Sequence, residues 1–283
     1  MATIISATNF ADAAGVTFSV LTGTMSLPLT QLQRPFGDGL ARGATSGFPV
    51  LIFEVDLGQE RDIISLGLLG MNGEGAGVQF ALFNGAGGTS PVLPYTLVEW
   101  FEAWRMPFSP ACWLHATTAP WRARYVRIRI DIYEVSGSLP AFVDMRRLWV
   151  GGGALVAGGV SRRWTLDFVD ASQVDRAPRG GAYGEQQARW RRARFGLQRQ
   201  GAETMIGDGA LDGAGGVWTE LAAAGKAQEI VVAPRAHETS DQLRYWQTLL
   251  GVATEWSPLV NDSGEIYGLE SAAVEETLME ALS

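Results

Sequence analysis

Arg124-Tyr125-Val126-Arg127-Ile128-Arg129-Ile130-Asp131-Ile132 is the stretch on which the fold turns. Val126, Ile128, Ile130 and Ile132 fall at every second position, with Arg127, Arg129 and Asp131 between them. A period of two, with β-branched residues on one side and charges on the other, predicts a strand with one dry and one wet face. The pattern recurs on either side. Phe53, Val55 and Leu57 alternate with Glu54 and Asp56 before Gly58, and the apolar run Ile63 to Leu69 leads into Met71-Asn72-Gly73. Val78, Phe80 and Leu82 alternate up to Asn84-Gly85, a turn pair. Phe142 to Val150 closes this half. Half-buried strands joined by glycine-rich turns read as a β-sandwich.

Composition narrows the possibilities. With 283 residues the chain can bury two cores. A hydrophobic share of 47% against 18% charged excludes large-scale disorder. The net charge of -8 argues against sequence-independent nucleic-acid binding, which needs a basic surface. Cys112 is the single cysteine, so no intrachain disulfide forms, and two histidines leave few soft metal ligands. No apolar run approaches the length of a membrane span of about 18 residues. Met1 to Phe10 shows no basic segment followed by an apolar core, so no secretory signal is visible. Positive charge is almost all arginine, with Lys226 the lone lysine; this suits permanent interfaces as well as it suits GC-rich codon usage.

Gly151-Gly152-Gly153 and Gly158-Gly159 flank a short apolar piece, which predicts a linker over 152–160. The expected organisation is an arm or first strands over 1–46, a sandwich over 47–151, and a second β-rich domain over 161–283. In that second part Trp164, Leu166 and Phe168 interleave with Thr165 and Asp167, and Ala193, Phe195 and Leu197 with arginines. Between them Gln173 to Gly184 reads as a polar loop containing Pro178. Trp218 to Ala224 has the composition of a short helix stopped by Gly225, and Ile230 to Val232 is a short strand before Pro234. Asp241 to Leu250 reads as a helix or turn, and the acidic tail Ala272 to Leu282 is helix-permissive.

Three segments carry a family resemblance. Phe53-Glu54-Val55-Asp56-Leu57-Gly58, Ile64 to Asn72, and Ala123-Arg124-Tyr125-Val126-Arg127-Ile128 with Met145-Arg146-Arg147-Leu148-Trp149-Val150-Gly151 resemble the strands of a galactose-binding-like (discoidin-type) sandwich. The chain as a whole resembles bacteriophage minor tail proteins of the distal-tail type that carry this module. Arg163 to Asp170, Arg179-Gly180-Gly181 and the arginine-rich Trp190 to Gln200 match their second domain. The resemblance implies a non-enzymatic tail-tip or baseplate subunit of the virion, made in the host cytoplasm. It would join tail tube, hub or fibre proteins and close into a three- or six-fold homo-oligomer through the second domain. The alternative is a carbohydrate-binding module that recognises a host surface glycan.

Candidate sites are weighed against plainer readings. Gly70 to Gly77 lacks the Gly-Lys-Ser/Thr and the following helix of a phosphate loop, so it reads as a turn. Asp208 and Asp212 offer calcium too few oxygens. His115, in a Pro-rich stretch expected to be irregular, and His237 have no positioned partner, and Cys112 reads as a small buried hydrophobe. Glu99 and Glu102 could form a glycosidase-type carboxylate pair, but with so many acids in the chain chance pairing is the better explanation. No catalytic, cofactor or metal residue is therefore assigned. Trp100, Trp104, Trp113 and Trp121 belong to a dense aromatic region suited to sugar stacking or, more simply, to packing and subunit contact. Arg189, Arg191, Arg192 and Arg194 form a basic cluster that reads as a solvated face or as charges meeting Asp170, Glu275 or Glu276 of a neighbouring subunit.

Overall fold

The structure, a computed structural model, describes residues 2–44, 50–72, 77–99, 111–132, 142–156, 164–176, 182–185, 189–207, 216–264 and 266–277. Its first part runs β1 (Thr3–Asn9), β2 (Thr17–Thr22), β3 (Thr24–Leu27), β4 (Ala41–Ala44), β5 (Val50–Ile63), β6 (Ser65–Leu69), β7 (Gly77–Gly85), β8 (Thr89–Glu99), β9 (Ala111–His115), β10 (Trp121–Asp131), β11 (Phe142–Met145) and β12 (Arg147–Val156). The second part adds β13 (Thr165–Asp170), β14 (Gln173–Arg176), β15 (Ala182–Glu185), β16 (Arg189–Gly201), β17 (Glu229–Ala233), β18 (Leu249–Trp256), β19 (Leu259–Ser263) and β20 (Ile266–Glu276). Three short helices accompany them: α1 (Ala202–Ile206), α2 (Val217–Ala224) and α3 (Asp241–Gln247).

The alternation in β10 sets the sandwich. Ile128 sits between Phe53 of β5 and Phe80 of β7, Val126 between Val55 and Leu82, and Ile130 between Leu51 and Val78. All nine are buried in the main core. On the opposite face Arg127 pairs with Glu54 at 2.6 Å. A slip of one residue would put charge into the core and isoleucine into water, so the register is held by burial itself. This sheet has the order β2-β5-β10-β7-β8. Facing it is the end of a larger sheet, β12-β6-β9, which supplies Leu148, Val150, Leu66, Leu68, Cys112 and Leu114 to the same core. The fold is mainly β with a sandwich in its first part, as the sequence predicts.

The larger sheet does not stop at the sandwich. Its order is β13-β16-β20-β18-β17-β1-β12-β6-β9, with β19 paired to β20. β1 lies between β12 and β17, so the first strand of the chain hydrogen-bonds both parts. The expected linker is corrected here: as far as Val156 it is the end of β12, with Gly151, Gly152 and Gly153 all buried. A Cβ on Gly151 would meet the hydroxyl oxygens of Ser6 and Ser65 at 2.6 Å, and Trp149 Nε1 closer still. Glycine serves close approach in this strand, not flexibility.

The second part packs Phe195, Leu197, Ala272, Val274, Ile230 and Val232 against Met205 of α1 and Val217 and Leu221 of α2. Ala272–Glu276, expected as helix-permissive tail, is strand: β20 is hydrogen-bonded to both β16 and β18, and tertiary pairing overrides the helical preference of alanine and glutamate. The polar segment Gln173 to Gly184 holds a hairpin, β14 against β15, rather than a plain loop. His115 ends strand β9 instead of lying in irregular chain. Gly225 closes α2, as expected, and Ser240 caps α3 through its hydroxyl.

A direct check separates packed strand from linker. Gly151→Ala should cost about 1–3 kcal/mol through overpacking, read as a lower midpoint in thermal or urea unfolding. In a linker the same change would be neutral or slightly stabilising, and that result would refute the buried-strand assignment.

Candidate functional site

Arg147 opens β12 and points inward, 1% exposed as a side chain. Its Nε donates to Glu229 Oε2 at 2.9 Å, and Nη2 meets the same oxygen at 2.8 Å. Nη1 donates to Asp12 Oδ1 at 2.6 Å and to the Leu32 carbonyl at 3.1 Å, while Nη2 reaches Asp12 Oδ2 at 2.5 Å. All five N–H groups of the guanidinium are thereby used, which is the condition for burying such a charge. Glu229, the first residue of β17, accepts the Phe36 backbone N–H on its second oxygen at 2.7 Å. Three segments distant in sequence converge on this point: the turn holding Asp12, the turns from Leu29 to Gly37, and β17.

Above the cluster opens a cleft of about 490 Å³, lined by Asn9, Asp12, Gln33, Pro35, Phe36, Trp149 and Gln228 beside the charged core. Burial raises the Glu229 carboxyl above the usual range, with Arg147 pulling the other way. Burial also works against the Arg147 charge, but the Asp12 hydrogen bond and Glu229 outweigh it and hold the guanidinium protonated. The cleft therefore offers a ligand no free guanidinium. It offers a partly exposed carboxylate at Asp12, the amides of Gln33 and Gln228, and the half-buried ring of Phe36, while Trp149 is buried beneath it with an Nε1 that has no hydrogen-bond partner among the described residues. The cleft lining contains no hydroxyl, thiol or imidazole.

The residues expected from sequence are scattered. Trp113 is 2% exposed, on the face of the large sheet covered by α3, with Trp149 and Tyr245 as neighbours and its ring stacked on His115 at 6.0 Å. Trp121 is half-buried against the sandwich core. Trp113 offers no free ring face to a sugar. Trp100 and Trp104 lie outside the described residues, as do Glu102, residues 73–76 of the glycine loop, and Asp208 and Asp212; of Glu99 only the backbone is described.

The arginine cluster is paired within the chain. The acids expected across a subunit boundary are met inside this chain: Arg189 with Asp170 at 2.8 Å, Arg192 with Glu275 at 3.0 Å, and Arg191 with Glu276. Arg194 pairs with Asp167 at 3.5 Å. Arg191 shares strand parity with Ala193 and Phe195, so it points into the core and donates to the Tyr245 carbonyl at 2.9 Å. Cys112 and His115 are equally committed to the interior. Burial pushes the Cys112 thiol up to about 12, and burial, helped by Arg244, pushes His115 down to about 3. The His115 Nε2 is hydrogen-bonded to Thr248 at 2.9 Å. A protonated thiol and a neutral, bonded imidazole are structural groups.

Sequence reading missed Asp12, Phe36, Arg147 and Glu229. The only local signal is the turn dipeptide character of Pro35-Phe36-Gly37-Asp38, since the ionic contacts span 135 and 82 residues.

No protein-family model matches the chain, and no curated protein matches it in sequence. Similar solved structures are carbohydrate-binding modules of galactose-binding-like sandwich type. One is the family 32 module of NanJ from Clostridium perfringens in complex with galactose, at 18% identity, covering 52% of this chain and 99% of that one, TM-score 0.37. Another is CpGH89CBM32-6 from Clostridium perfringens, at 12% identity, covering 50% and 98%, TM-score 0.38. A third is the lectin domain of lectinolysin complexed with Lewis B antigen, at 14% identity, covering 51% and 96%, TM-score 0.36.

Two measurements test the site's energetics. Arg147→Met leaves Glu229 and Asp12 without their cation and should lower stability by about 3–5 kcal/mol in urea unfolding. The His115 prediction concerns pH. The folded chain keeps this imidazole neutral down to about pH 3, whereas the unfolded chain takes up a proton below about 6.5. The unfolded state therefore binds more protons between those values, and His115 costs stability as pH falls, by about 1.4 kcal/mol per unit. His115→Gln should flatten that part of the stability curve; an unchanged slope would show that His115 is not the group responsible.

Proposed function

We propose that this chain is a non-catalytic recognition protein whose Arg147 cleft binds an uncharged, polyhydroxylated ligand of the sugar class. One observation carries the reading: a cleft of about 490 Å³ presents the Gln33 and Gln228 amides, the Asp12 carboxylate and the ring of Phe36 around a cation that is already fully used. Hydroxyls satisfy amides and carboxylates, and ring C–H faces lie on aromatic ones. An anionic ligand would find no N–H of Arg147 left to meet it. The modules named above bind galactose and Lewis B antigen. The proposal rests on the cleft and not on them.

A second reading, a structural subunit of a bacteriophage tail tip or baseplate in the virion, follows from the sequence resemblance. It is favoured by β13, the outermost strand of the large sheet, where Phe168 is 57% exposed beside the surface pairs Arg189–Asp170 and Arg194–Asp167. A three- or six-fold ring through this part would use them at its rim.

A glycan array probed with the intact chain, followed by calorimetry on the ligands retained, tests the first reading. Gln228→Ala should weaken binding by about three- to tenfold, as loss of one exposed hydrogen bond does. An array with no retained glycan would sink the sugar reading. A discrete trimer or hexamer by native mass spectrometry, in the absence of glycan binding, would favour the tail subunit.

A further inference from the structure

Phe36 has the backbone of a glycine. Its φ is 59°, that of Gly37 is 66°, and the Asp38 N–H reaches back to the Pro35 carbonyl at 3.4 Å. Two successive left-handed residues between such ends make a turn whose central positions are ordinarily Asn, Asp or Gly. A bulky aromatic in that place is strained, because its Cβ crowds the following carbonyl. The strain persists only where the surroundings over-determine it. Here they do: Glu229, itself buried and clamped by Arg147, receives the Phe36 N–H at 2.7 Å, and Arg146 Nη1 donates to the Gly37 carbonyl at 3.3 Å. Gly39 passes close against the backbone of Gln31, where a Cβ would collide. Phe36 nonetheless remains half-buried and lines the cleft instead of filling the core.

We infer that Phe36 is the aromatic platform on which the ligand's ring lies, and that Glu229 is its positioning residue, holding the strained backbone so that the platform is formed before the ligand arrives. The inference rests on the sugar-class reading of this cleft. It adds which residue discriminates and how the second part of the chain, through β17, sets the shape of a site otherwise built by the first. A platform fixed in advance spares the ligand the cost of ordering it.

The test uses the full chain, with D-galactose, L-fucose and N-acetyl-D-glucosamine titrated by calorimetry beside any glycan retained on the array. Phe36→Tyr and Phe36→Trp keep a ring and should bind within about threefold of the parent. Phe36→Gly and Phe36→Ala remove it and should bind at least about tenfold more weakly. Thermal melting supplies the readout that a merely structural role would not give. Phe36→Gly should melt above Phe36→Ala by a few degrees, because glycine alone is at ease in the left-handed region. Glu229→Gln keeps an oxygen for the Phe36 N–H and should retain most binding, whereas Glu229→Ala should lose about tenfold.

The outcomes separate. If the parent binds sugars and Phe36→Gly binds them equally well, the platform is wrong and the sugar cleft stands. If Glu229→Ala binds as the parent does, the positioning role is wrong. If the parent binds no sugar, both the platform and the function it rests on fall.

Discussion

A guanidinium taken out of water has to find acceptors for five N–H groups, and Arg147 finds them in four oxygens on three residues of its own chain. Asp12, the Leu32 carbonyl and the two contacts to Glu229 exhaust its donors. Leaving any of these unmet inside the protein would cost several kilocalories per mole, so the turns that carry them have little freedom to lie elsewhere. The short 3-10 turns Phe10–Asp12 and Leu29–Gly37, on either side of β2 and β3, are where this demand is met. The cleft is the space left over when those turns are drawn to one point.

The same strand serves two cores. Leu148 and Val150 of β12 face the sandwich, while Trp149 faces the aromatic layer under α3 with Trp113 and Tyr245. A strand buried on both faces reads as continuously apolar, and the glycines that follow let Trp149 and the serines of β1 and β6 close over the backbone. Continuity of β12 with β1, and of β1 with β17, makes the large sheet a single hydrogen-bonded surface among the described residues. The arginines of β16 belong to this economy of pairing: each acid that could have marked a neighbour is already engaged at home.

A site assembled in this way has a definite chemical character. Its charges are internally balanced, Arg147 being paired with Asp12 and Glu229. What remains accessible in the cleft is the Gln33 and Gln228 amides, one carboxylate edge and the ring of Phe36.

The sequence by itself determined the strands whose faces differ. Val126, Ile128 and Ile130 against Arg127 and Arg129 could be read because a period of two is a local property, and so could Phe53 to Leu57, Ala193 to Leu197 and the glycine stop of α2. Parity even placed Arg191 with the core residues of β16, had it been applied to a charged residue. Tertiary structure decided the rest. Gly151 to Gly153 became strand because neighbours needed the room a Cβ would occupy, and Ala272 to Glu276 became strand because β16 and β18 were there to pair with it. Trp113 became core because α3 covers it. The Arg147 cluster, whose direct contacts span up to 193 positions, left no trace in any window of sequence. Ionic and hydrogen-bonding partners are chosen by proximity in space, and only the folded chain creates that proximity.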